Sequence, residues 1–207
     1  MIVYETDVEL MMNRVIPAIA FSLLVSCSCQ SEKRDFQSVA FTEGDLAFRK
    51  GKGAKSEAVF YADTSGIYSH TGIVVRQGAT FRIVHITPGE QPKDSIKSDS
   101  PEEFWASGKA EHGAVYRLKD ASPYAAAAAK QALRILQKGM MFDNDYDLND
   151  STKMYCTEFV WYAYKLAGKD ITFGKRSELK NFPMYSGIYI FPSDIYRNDE
   201  FQLVYKF

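Results

Sequence analysis

The sequence predicts a single α+β domain in which an antiparallel sheet packs against helices. Its 207 residues, 46% of them hydrophobic, supply one well-packed core rather than two. Residues 68–89, "YSHTGIVVRQGATFRIVHITPG", contain two β-branched runs around a Gln-Gly pair, a pattern typical of a β-hairpin. Strand-like and helix-like segments do not alternate regularly along the chain, which disfavours a doubly wound parallel sheet.

The first 30 residues are predicted to be a signal peptide and the start of a tether. After Arg14 the chain runs through "VIPAIAFSLLVSC", an apolar stretch of secretory length that is too short to span a bilayer. It ends in Leu24-Val25-Ser26-Cys27, which resembles the bacterial lipoprotein signal and marks Cys27 as the lipidated residue. A buried N-terminal helix is the alternative, which Pro17 and the polar residues after Cys27 disfavour.

Four further expectations concern the boundaries and the surroundings of the protein. Residues 1–10 are acidic, unlike the start of a signal peptide, so translation is expected to begin at Met11 or Met12. Residues 31–41 are assigned to a tether and residues 42–207 to the catalytic domain. The mature protein would be exported and lipid-anchored to a bacterial membrane, on its periplasmic or cell-surface face. The formal net charge of -1 provides no basic surface, so nucleic acid is not an expected partner.

The first half of the domain is predicted to consist mainly of strands. A turn at 44–45 precedes a strand over 46–49, and a further strand covers "GAVYRLK" at 113–119. The polar segment 88–100 is predicted to be a loop. A short helix is expected to follow it, because Ser100, Pro101 and Glu103 have the spacing of a capping box.

The second half is predicted to contain two longer helices. Residues 120–139, "DASPYAAAAAKQALRILQKG", form the first, with Ser122 as the cap and Gly139 at the end. The second covers 156–167. The tail over 191–207 predicts a short capped turn and a final strand.

An acidic loop lies between these two helices. Asp143, Asp145 and Asp147 have the spacing of calcium ligands, but the glycine and the distal glutamate of an EF-hand are missing. Solvated turn residues are therefore the favoured interpretation over a calcium site.

The hairpin pattern brings two histidines together. If the turn is centred on Gln77-Gly78, paired residue numbers sum to 155, and His70 faces His85. Directly opposed residues on antiparallel strands share a face, with β-carbons about 4.5 to 5.5 Å apart. The expected pairing depends on the length of the turn.

Three interpretations of the histidine pair stay open at this point. The two residues are half-exposed strand residues, or they bind zinc together with Cys156, or one imidazole activates a thiol that the other helps to orient. A cysteine at a helix N-terminus has its thiol pKa lowered by unpaired amides and by the helix dipole, and the same amides suit an oxyanion. Cys156 could instead be a buried inert thiol. Its isolation in an exported protein favours a reactive one.

Five segments together resemble a known family. They are "EGDLAF", "SHTGIVV", "RIVHI", "YCTEFVWYAY" and "FPSDIY", and they occur in the order found in permuted papain-fold cysteine enzymes. These are the YiiX/YaeF-like relatives of NlpC-type cell-wall amidases and of the lecithin-retinol acyltransferase group. The resemblance extends from about Thr42 to the C-terminus. It implies a circularly permuted papain-like fold with the catalytic cysteine at a helix N-terminus.

The resemblance also implies roles for individual residues. Cys156 matches the nucleophile, His70 in "SHTG" matches the base, and His85 stands where the family places a third polar residue. YiiX-like members often have glutamate at that position, whereas the acyltransferase group has histidine. The Gly44-Asp45 pair is also a family signature, and we expect it to form a structural turn.

The expected activity is that of a cysteine amidase or peptidase. The resemblance implies cleavage of amide bonds in peptide or peptidoglycan-derived substrates through a thioester, with no cofactor and no metal. A lipid acyltransferase or hydrolase is an alternative, favoured by His85 and the predicted anchor, and an inactive binding module is a second. Tyr61 and Tyr155 are weak candidates for oxyanion donors and are expected to be packing residues. His112 is expected at the surface.

Overall fold

Ten strands form in the part of the chain that the structure describes. The structure is a computed structural model, and it describes residues 34–89, 95–120, 123–180 and 186–207. The strands are β1 (Leu46–Gly51), β2 (His70–Gln77), β3 (Thr80–Ile86), β4 (Ile96–Asp99), β5 (Ala110–Leu118), β6 (Met141–Phe142), β7 (Lys153–Met154), β8 (Ser177–Leu179), β9 (Gly187–Tyr189) and β10 (Phe201–Lys206). Six of them form one antiparallel sheet in the order β10-β5-β1-β2-β3-β4.

The same described residues form five helices. These are α1 (Ala54–Ala62), α2 (Pro101–Phe104), α3 (Tyr124–Lys138), α4 (Cys156–Leu166) and α5 (Pro192–Tyr196). The α+β class with an antiparallel sheet and helices is therefore confirmed. α3 and α4 pack against each other and against β2, so the Cys156 helix is held on a central part of the sheet.

The sheet separates two hydrophobic cores. The larger core lies between the sheet and the helices α3 and α4, and it includes Phe48, Val84, Ala128 and Phe159. The smaller core covers the other face of the sheet, where Trp105 donates from Nε1 to the carbonyl of Phe48 at 2.9 Å. Burial on both faces fixes the sheet from two sides, which gives the active-site strands a rigid support.

Most of the predicted elements are present. The capping box at Ser100 and Glu103 is formed, α3 ends at Gly139 with a φ of 71°, and the tail provides α5 and β10. The predicted cap at Ser122 lies outside the described residues. Helix α1 was not predicted. None of its residues is buried, so its sequence lacks the apolar stripe that indicates an amphipathic helix.

The prediction of a loop over 88–100 is wrong at its end. Residues 96–99 form the edge strand β4, in which His85 of β3 is paired with Lys97. The sequence "IKSD" has one apolar residue in four, as is usual for an edge strand whose outer side faces water.

The predicted hairpin register is wrong by two residues. The pairs observed between β2 and β3 include Val74 with Ile83 and Gln77 with Thr80, which sum to 157 rather than 155. The turn therefore has Gly78 and Ala79 at its centre, and Gly78 has a φ of 63°, as two-residue hairpin turns with a leading glycine require. A shift of two residues preserves the face on which each side chain lies, since strands have a period of two.

The described part of the predicted tether packs onto the domain. Phe36 is 3% exposed in the smaller core, and Arg34 donates from Nη1 to the carbonyl of Trp105 at 2.9 Å. Residues 34–41 are thus part of the folded domain, which corrects the boundary set at residue 42. The predicted signal peptide and Cys27 lie outside the described residues. No helix within the described ranges is both long and apolar enough to cross a membrane.

Candidate active site

Cys156 lies at the first position of α4, and its neighbours fix the start of that helix. Tyr155 accepts a hydrogen bond from the backbone N of Ile190 through its hydroxyl at 2.9 Å, and the Thr157 hydroxyl donates to the Ile190 carbonyl at 2.5 Å. Glu158 accepts from the backbone N of Tyr155 at 3.3 Å. The residues on both sides of Cys156 are therefore anchored to the same segment, which holds the thiol in place.

The thiol opens onto a cavity of about 310 Å³. Its walls include His70 from the start of β2, Arg49 from β1 and the beginning of α1. Arg49 and His70 are directly paired across β1 and β2, so their side chains share one face of the sheet. The cavity thus brings a thiol, an imidazole and a guanidinium together.

A line of three side chains extends behind the thiol. His70 Nε2 lies 2.9 Å from His85 Nδ1, although the two residues are not directly opposed in the sheet. His85 Nε2 lies 3.1 Å from Asp99 Oδ2, in a contact bent away from the linear geometry of a hydrogen bond. His85 is 2% exposed, and Asp99 is the carboxylate that lies beside its ring among the described residues.

Phe104 forms a common platform under these groups. Its ring is stacked against His70 at 5.7 Å between centroids and is edge-on to His85 at 5.0 Å. The Arg49 guanidinium carbon lies 4.5 Å from the same ring centroid, and Nη1 of Arg49 donates to the Phe104 carbonyl at 2.6 Å. One aromatic side chain therefore positions the two imidazoles and the guanidinium relative to each other.

Burial keeps the two histidines neutral. Desolvation, with Arg49 nearby, lowers the pKa of His70 well below its ordinary value, and desolvation lowers that of His85 to about 4 despite the opposing effect of Asp99. Against the effect of its own burial, contact with His85 and Lys109 holds the pKa of Asp99 below its usual range. At neutral pH the line therefore contains two neutral imidazoles and one carboxylate.

The expectation of a lowered thiol pKa is wrong for the unliganded site. Desolvation raises the pKa of Cys156 above its ordinary value, while hydrogen bonds from the backbone amides of Thr71 and Thr157 and the charge of Arg49 act in the opposite direction. The helix N-terminus contributes as expected, but the enclosure of the thiol outweighs it. Cys156 therefore rests as a thiol, and an adjacent base is needed to activate it.

The structure places Cys156 and His70 on one cavity and His85 in contact with His70, and it adds other residues that the sequence did not indicate. Their catalytic roles stay predictions. Asp99 was missed because it lies in the segment expected to be a loop. Arg49 was missed because no local pattern in the sequence shows that β1 and β2 are neighbours in the sheet.

Several secondary expectations have structural outcomes. Asp45 is 2% exposed and is held by Arg117 through Nε at 2.7 Å and Nη2 at 2.8 Å, which confirms a structural role for the 44–45 turn. Tyr155 is buried, as expected, whereas Tyr61 is 73% exposed, so the expectation that it packs in the core is wrong. His112 is half-buried, with Nε2 at 3.2 Å from the carbonyl of Ile67.

The first aspartate of the acidic loop, Asp143, is hydrogen-bonded to backbone amides of the loop itself. Asp143 is fully buried and accepts hydrogen bonds from the backbone N of Asp145 at 2.9 Å and of Asp147 at 2.6 Å. Its carboxylate therefore organises the loop from inside.

Comparison with solved structures supports the fold. The crystal structure of the metalloprotein YiiX from Escherichia coli O157:H7 matches with a TM-score of 0.66 and 21% sequence identity, covering 80% of this chain and 97% of that chain. In the described ranges of this chain, no group of three or more His, Cys, Asp or Glu side chains is placed to hold a metal ion. The described residues of this site therefore do not form a metal-binding group, although that relative is called a metalloprotein.

Comparison with sequence families identifies the chain. No curated protein matches it. Residues 40–205 match the model of the family described as "Permuted papain-like amidase enzyme, YaeF/YiiX, C92 family", which covers the hairpin, the Cys156 helix and the C-terminal strand. The line of side chains behind Cys156 lies within that match. The protein is a cysteine amidase that belongs to the permuted papain-like YaeF/YiiX family.

Proposed function

We propose that the protein hydrolyses amide bonds of cell-wall peptides, with Cys156 as the nucleophile and His70 as the general base. The observation that supports it most directly is the line from the Cys156 cavity through His70 and His85 to Asp99. A thiol, a base and a group that orients the base are the parts that nucleophilic acyl transfer needs.

The proposed mechanism needs one particular arrangement of protons along the line. In this arrangement Asp99 accepts the proton of His85 Nε2, so His85 Nδ1 carries a lone pair and accepts from His70 Nε2. Nδ1 of His70 is then unprotonated and is the nitrogen available to the thiol. In the proposal, each contact selects the tautomer of the next ring, as in other sites where a carboxylate orients an imidazole.

The reaction follows from that arrangement. His70 takes the proton of the Cys156 thiol while the sulfur attacks the amide carbonyl carbon, and the amides at the start of α4 face the developing oxyanion. The C–N bond breaks, and His70 gives its proton to the leaving amine. Water, deprotonated by His70, then attacks the thioester, the C–S bond breaks, and the proton returns to the sulfur.

One comparison of substrates tests this proposal. Purified protein is incubated with peptidoglycan fragments and, separately, with phospholipid vesicles, and new amines and released fatty acids are measured. We expect new amines from the first and a loss of at least about 1,000-fold in Cys156→Ala, since the nucleophile is removed. Full activity in Cys156→Ala would contradict the mechanism.

A lipid substrate is the second candidate, and an apolar groove favours it. The groove has a volume of about 210 Å³, is lined mainly by apolar and aromatic side chains, and shares Val59 and Tyr146 with the Cys156 cavity. Such a groove suits an acyl chain. Fatty acid released in the vesicle reaction, without amines in the other, would replace the amide substrate by a lipid.

We also propose that the protein is exported and lipid-anchored through Cys27. The apolar run and the Leu24-Val25-Ser26-Cys27 sequence support this. Metabolic labelling with a fatty-acid analogue should label the wild-type protein and Cys29→Ala equally and should not label Cys27→Ala. Labelling that persists in Cys27→Ala would contradict the anchor.

A further inference from the structure

Positive charge is concentrated around the Cys156 cavity. Four basic side chains line it, Arg49, Lys52, Lys55 and Lys109, and none of its described lining residues is Asp or Glu. The whole chain has a formal net charge of only -1, so this concentration is a local property of the cavity. A cavity lined by one sign of charge attracts a ligand of the other sign.

Arg49 is a charged side chain whose hydrogen-bonding groups are only partly used. It is 9% exposed, and Nη1 donates to the Phe104 carbonyl, but Nε is buried and has no acceptor among the described residues. Desolvation lowers the pKa of Arg49 to about 10, so the group is still charged at neutral pH. A buried guanidinium with an unused donor normally has a partner, which here is absent from the described part of the chain itself.

Asp99, the nearby carboxylate, is not the missing hydrogen-bond acceptor of Arg49 Nε. Asp99 is the anion with the largest effect on Arg49, but its Oδ2 lies 3.1 Å from His85 and 3.4 Å from Nζ of Lys109. Lys109 is thereby partly neutralised. Lys52 donates to the neutral carbonyl of Ser107 at 2.7 Å, so its charge is not cancelled by this contact.

The beginning of α1 adds to the same field. The helix has nine residues, and its N-cap Gly53 forms no side-chain hydrogen bond, so no side chain caps the first-turn amides there. The positive end of the helix dipole lies beside Lys52 and Lys55, both exposed at the mouth of the cavity, while Glu57 in the same first turn offsets part of this charge. The buried guanidinium of Arg49 and the exposed ammonium groups of Lys52 and Lys55, here called the rim, therefore place positive charge around the same cavity.

We propose that the cavity beside Cys156 selects amides that carry a carboxylate close to the scissile bond, with Arg49 as the buried anchor and Lys52 and Lys55 at the rim. The inference rests on the proposed amide hydrolysis and specifies its substrates. Carboxylates are the anions of peptides, and a guanidinium matches their planar geometry better than an ammonium does.

The test compares two amides that differ in one group. Both have the same scissile bond and leaving group, and one carries a carboxylate where the other carries a carboxamide. We expect the wild-type enzyme to prefer the carboxylate by about tenfold or more in kcat/KM at low ionic strength, and the preference to decrease in 0.5 M salt.

Variants then assign the preference to the rim. Lys52→Gln and Lys55→Gln should each lower the ratio of the two kcat/KM values by about twofold to fivefold, as expected for exposed charges. Lys130→Gln, an exposed lysine on α3 outside the cavity, is the matched control and should leave the ratio unchanged. Arg49→Gln should lower the ratio further, and because Arg49 also acts on the thiol, activity on both amides should fall.

Three results would overturn the inference. Equal kcat/KM for the two amides would leave the amidase proposal intact but remove carboxylate selection. A preference that the Arg49, Lys52 and Lys55 variants all leave unchanged would do the same. Calorimetric binding of the same two amides to Cys156→Ser gives the comparison without turnover. Equal affinity there would reject the carboxylate site even if the chosen amides are not cleaved.

Discussion

Asp99 is the residue on which the proposed protonation of the whole line depends. Its Oδ2 lies 3.1 Å from His85 Nε2, and His85 has no other carboxylate partner among the described residues. The side chains of His85 and His70 lie between Asp99 and the Cys156 cavity. It does not touch the reacting atoms, so its effect on catalysis must pass through the tautomers of two imidazoles.

Asp99→Asn is expected to lower kcat by roughly 10-fold to 100-fold with little change in KM, because the amide can stabilise the other tautomer of His85. Nitrogen chemical shifts of the two histidines should show the altered tautomers, which a merely structural change would not. Asp120→Asn, an exposed residue after β5, serves as the control. Wild-type shifts and kcat in Asp99→Asn would contradict the role.

The raised pKa of the Cys156 thiol leads to a second expectation. Without substrate, the rate of alkylation by iodoacetamide should increase with pH until it passes the ordinary thiol pKa, since the thiolate is the reactive form. The positive charge of Arg49 lowers that pKa, so Arg49→Met should move the midpoint to higher pH. A plateau that is already reached at pH 6 would instead show a preformed thiolate and imidazolium pair.

At the scale of residues, the sequence provided the types of side chain but not all of their contacts. Cys156, His70 and His85 were predicted as site residues because each stands in a patterned segment. Asp99 and Arg49 were not, because their contributions depend on which strands are neighbours in the sheet. Strand order is set by long-range packing, and no local pattern in "IKSD" or "LAFRKG" contains that information.

The hairpin of β2 and β3 is the element that places His70 and His85, the proposed base and its proposed orienting residue. The sequence predicted the strands and the glycine turn, and the error was confined to which two residues form the centre of the turn. Because the register differs from the prediction by two residues, both histidines still lie on the same face of the sheet. They are diagonal neighbours across β2 and β3 rather than a directly opposed pair, and their rings are in contact. Backbone geometry decides which two residues form the centre of the turn. Both Gln77-Gly78 and Gly78-Ala79 are compatible with a two-residue turn, so the sequence alone does not choose between them.

Gly72 is the residue that gives His85 room within this hairpin. A β-carbon at position 72 would lie 2.7 Å from the Val84 carbonyl and 2.9 Å from the β-carbon of His85. Gly72→Ala is therefore expected to destabilise the domain by about 1–3 kcal/mol, or roughly 2–12 °C in Tm, and to displace His85.

The matched control for stability is Gly108→Ala, where an added β-carbon meets no atom within 4 Å. Thermal unfolding should be measured for both variants and kcat for Gly72→Ala, since Gly108 lines the Cys156 cavity. A kcat that falls in Gly72→Ala by more than the unfolded fraction explains would support the positioning of His85. Wild-type stability and kcat in that variant would contradict it.

At the scale of the whole molecule, the domain begins earlier than the sequence suggested. Residues 34–41 close the smaller core on the face of the sheet opposite the helices, where Phe36 contacts Trp105 with ring centroids 5.0 Å apart. The segment looked like a tether because it is short, polar at its start and without a periodic pattern. Its role depends on aromatic residues near positions 105 and 207, more than sixty residues away in the chain.

Phe36→Ala is expected to destabilise the domain by about 3–5 kcal/mol, since a large buried aromatic side chain is removed from a packed core. This corresponds to a decrease of roughly 6–20 °C in Tm. Leu203→Ala on β10, a residue that is 45% exposed, should change Tm by only a few degrees. Equal Tm values for Phe36→Ala and the wild type would restore the tether interpretation.

The distribution of charge is also a property of the whole molecule. A chain that is nearly neutral places four basic side chains around one cavity, and Asp99, the carboxylate behind that cavity, is bound to histidine and lysine. The composition alone disfavoured nucleic acid as a partner, but it concealed this local field. Folding concentrates charges that are spread along the sequence.

The central claim is that Cys156 forms a thioester with the acyl part of an amide and that His70 activates it. The most direct test is to quench the enzyme with acid during turnover of a carboxylate-bearing amide and to measure the intact mass and the modified peptide. We predict an adduct of the acyl group on Cys156 in the wild-type protein and none above background in His70→Ala, which lacks the base. Turnover without an adduct on Cys156, or an adduct that forms equally fast in His70→Ala, would contradict the account.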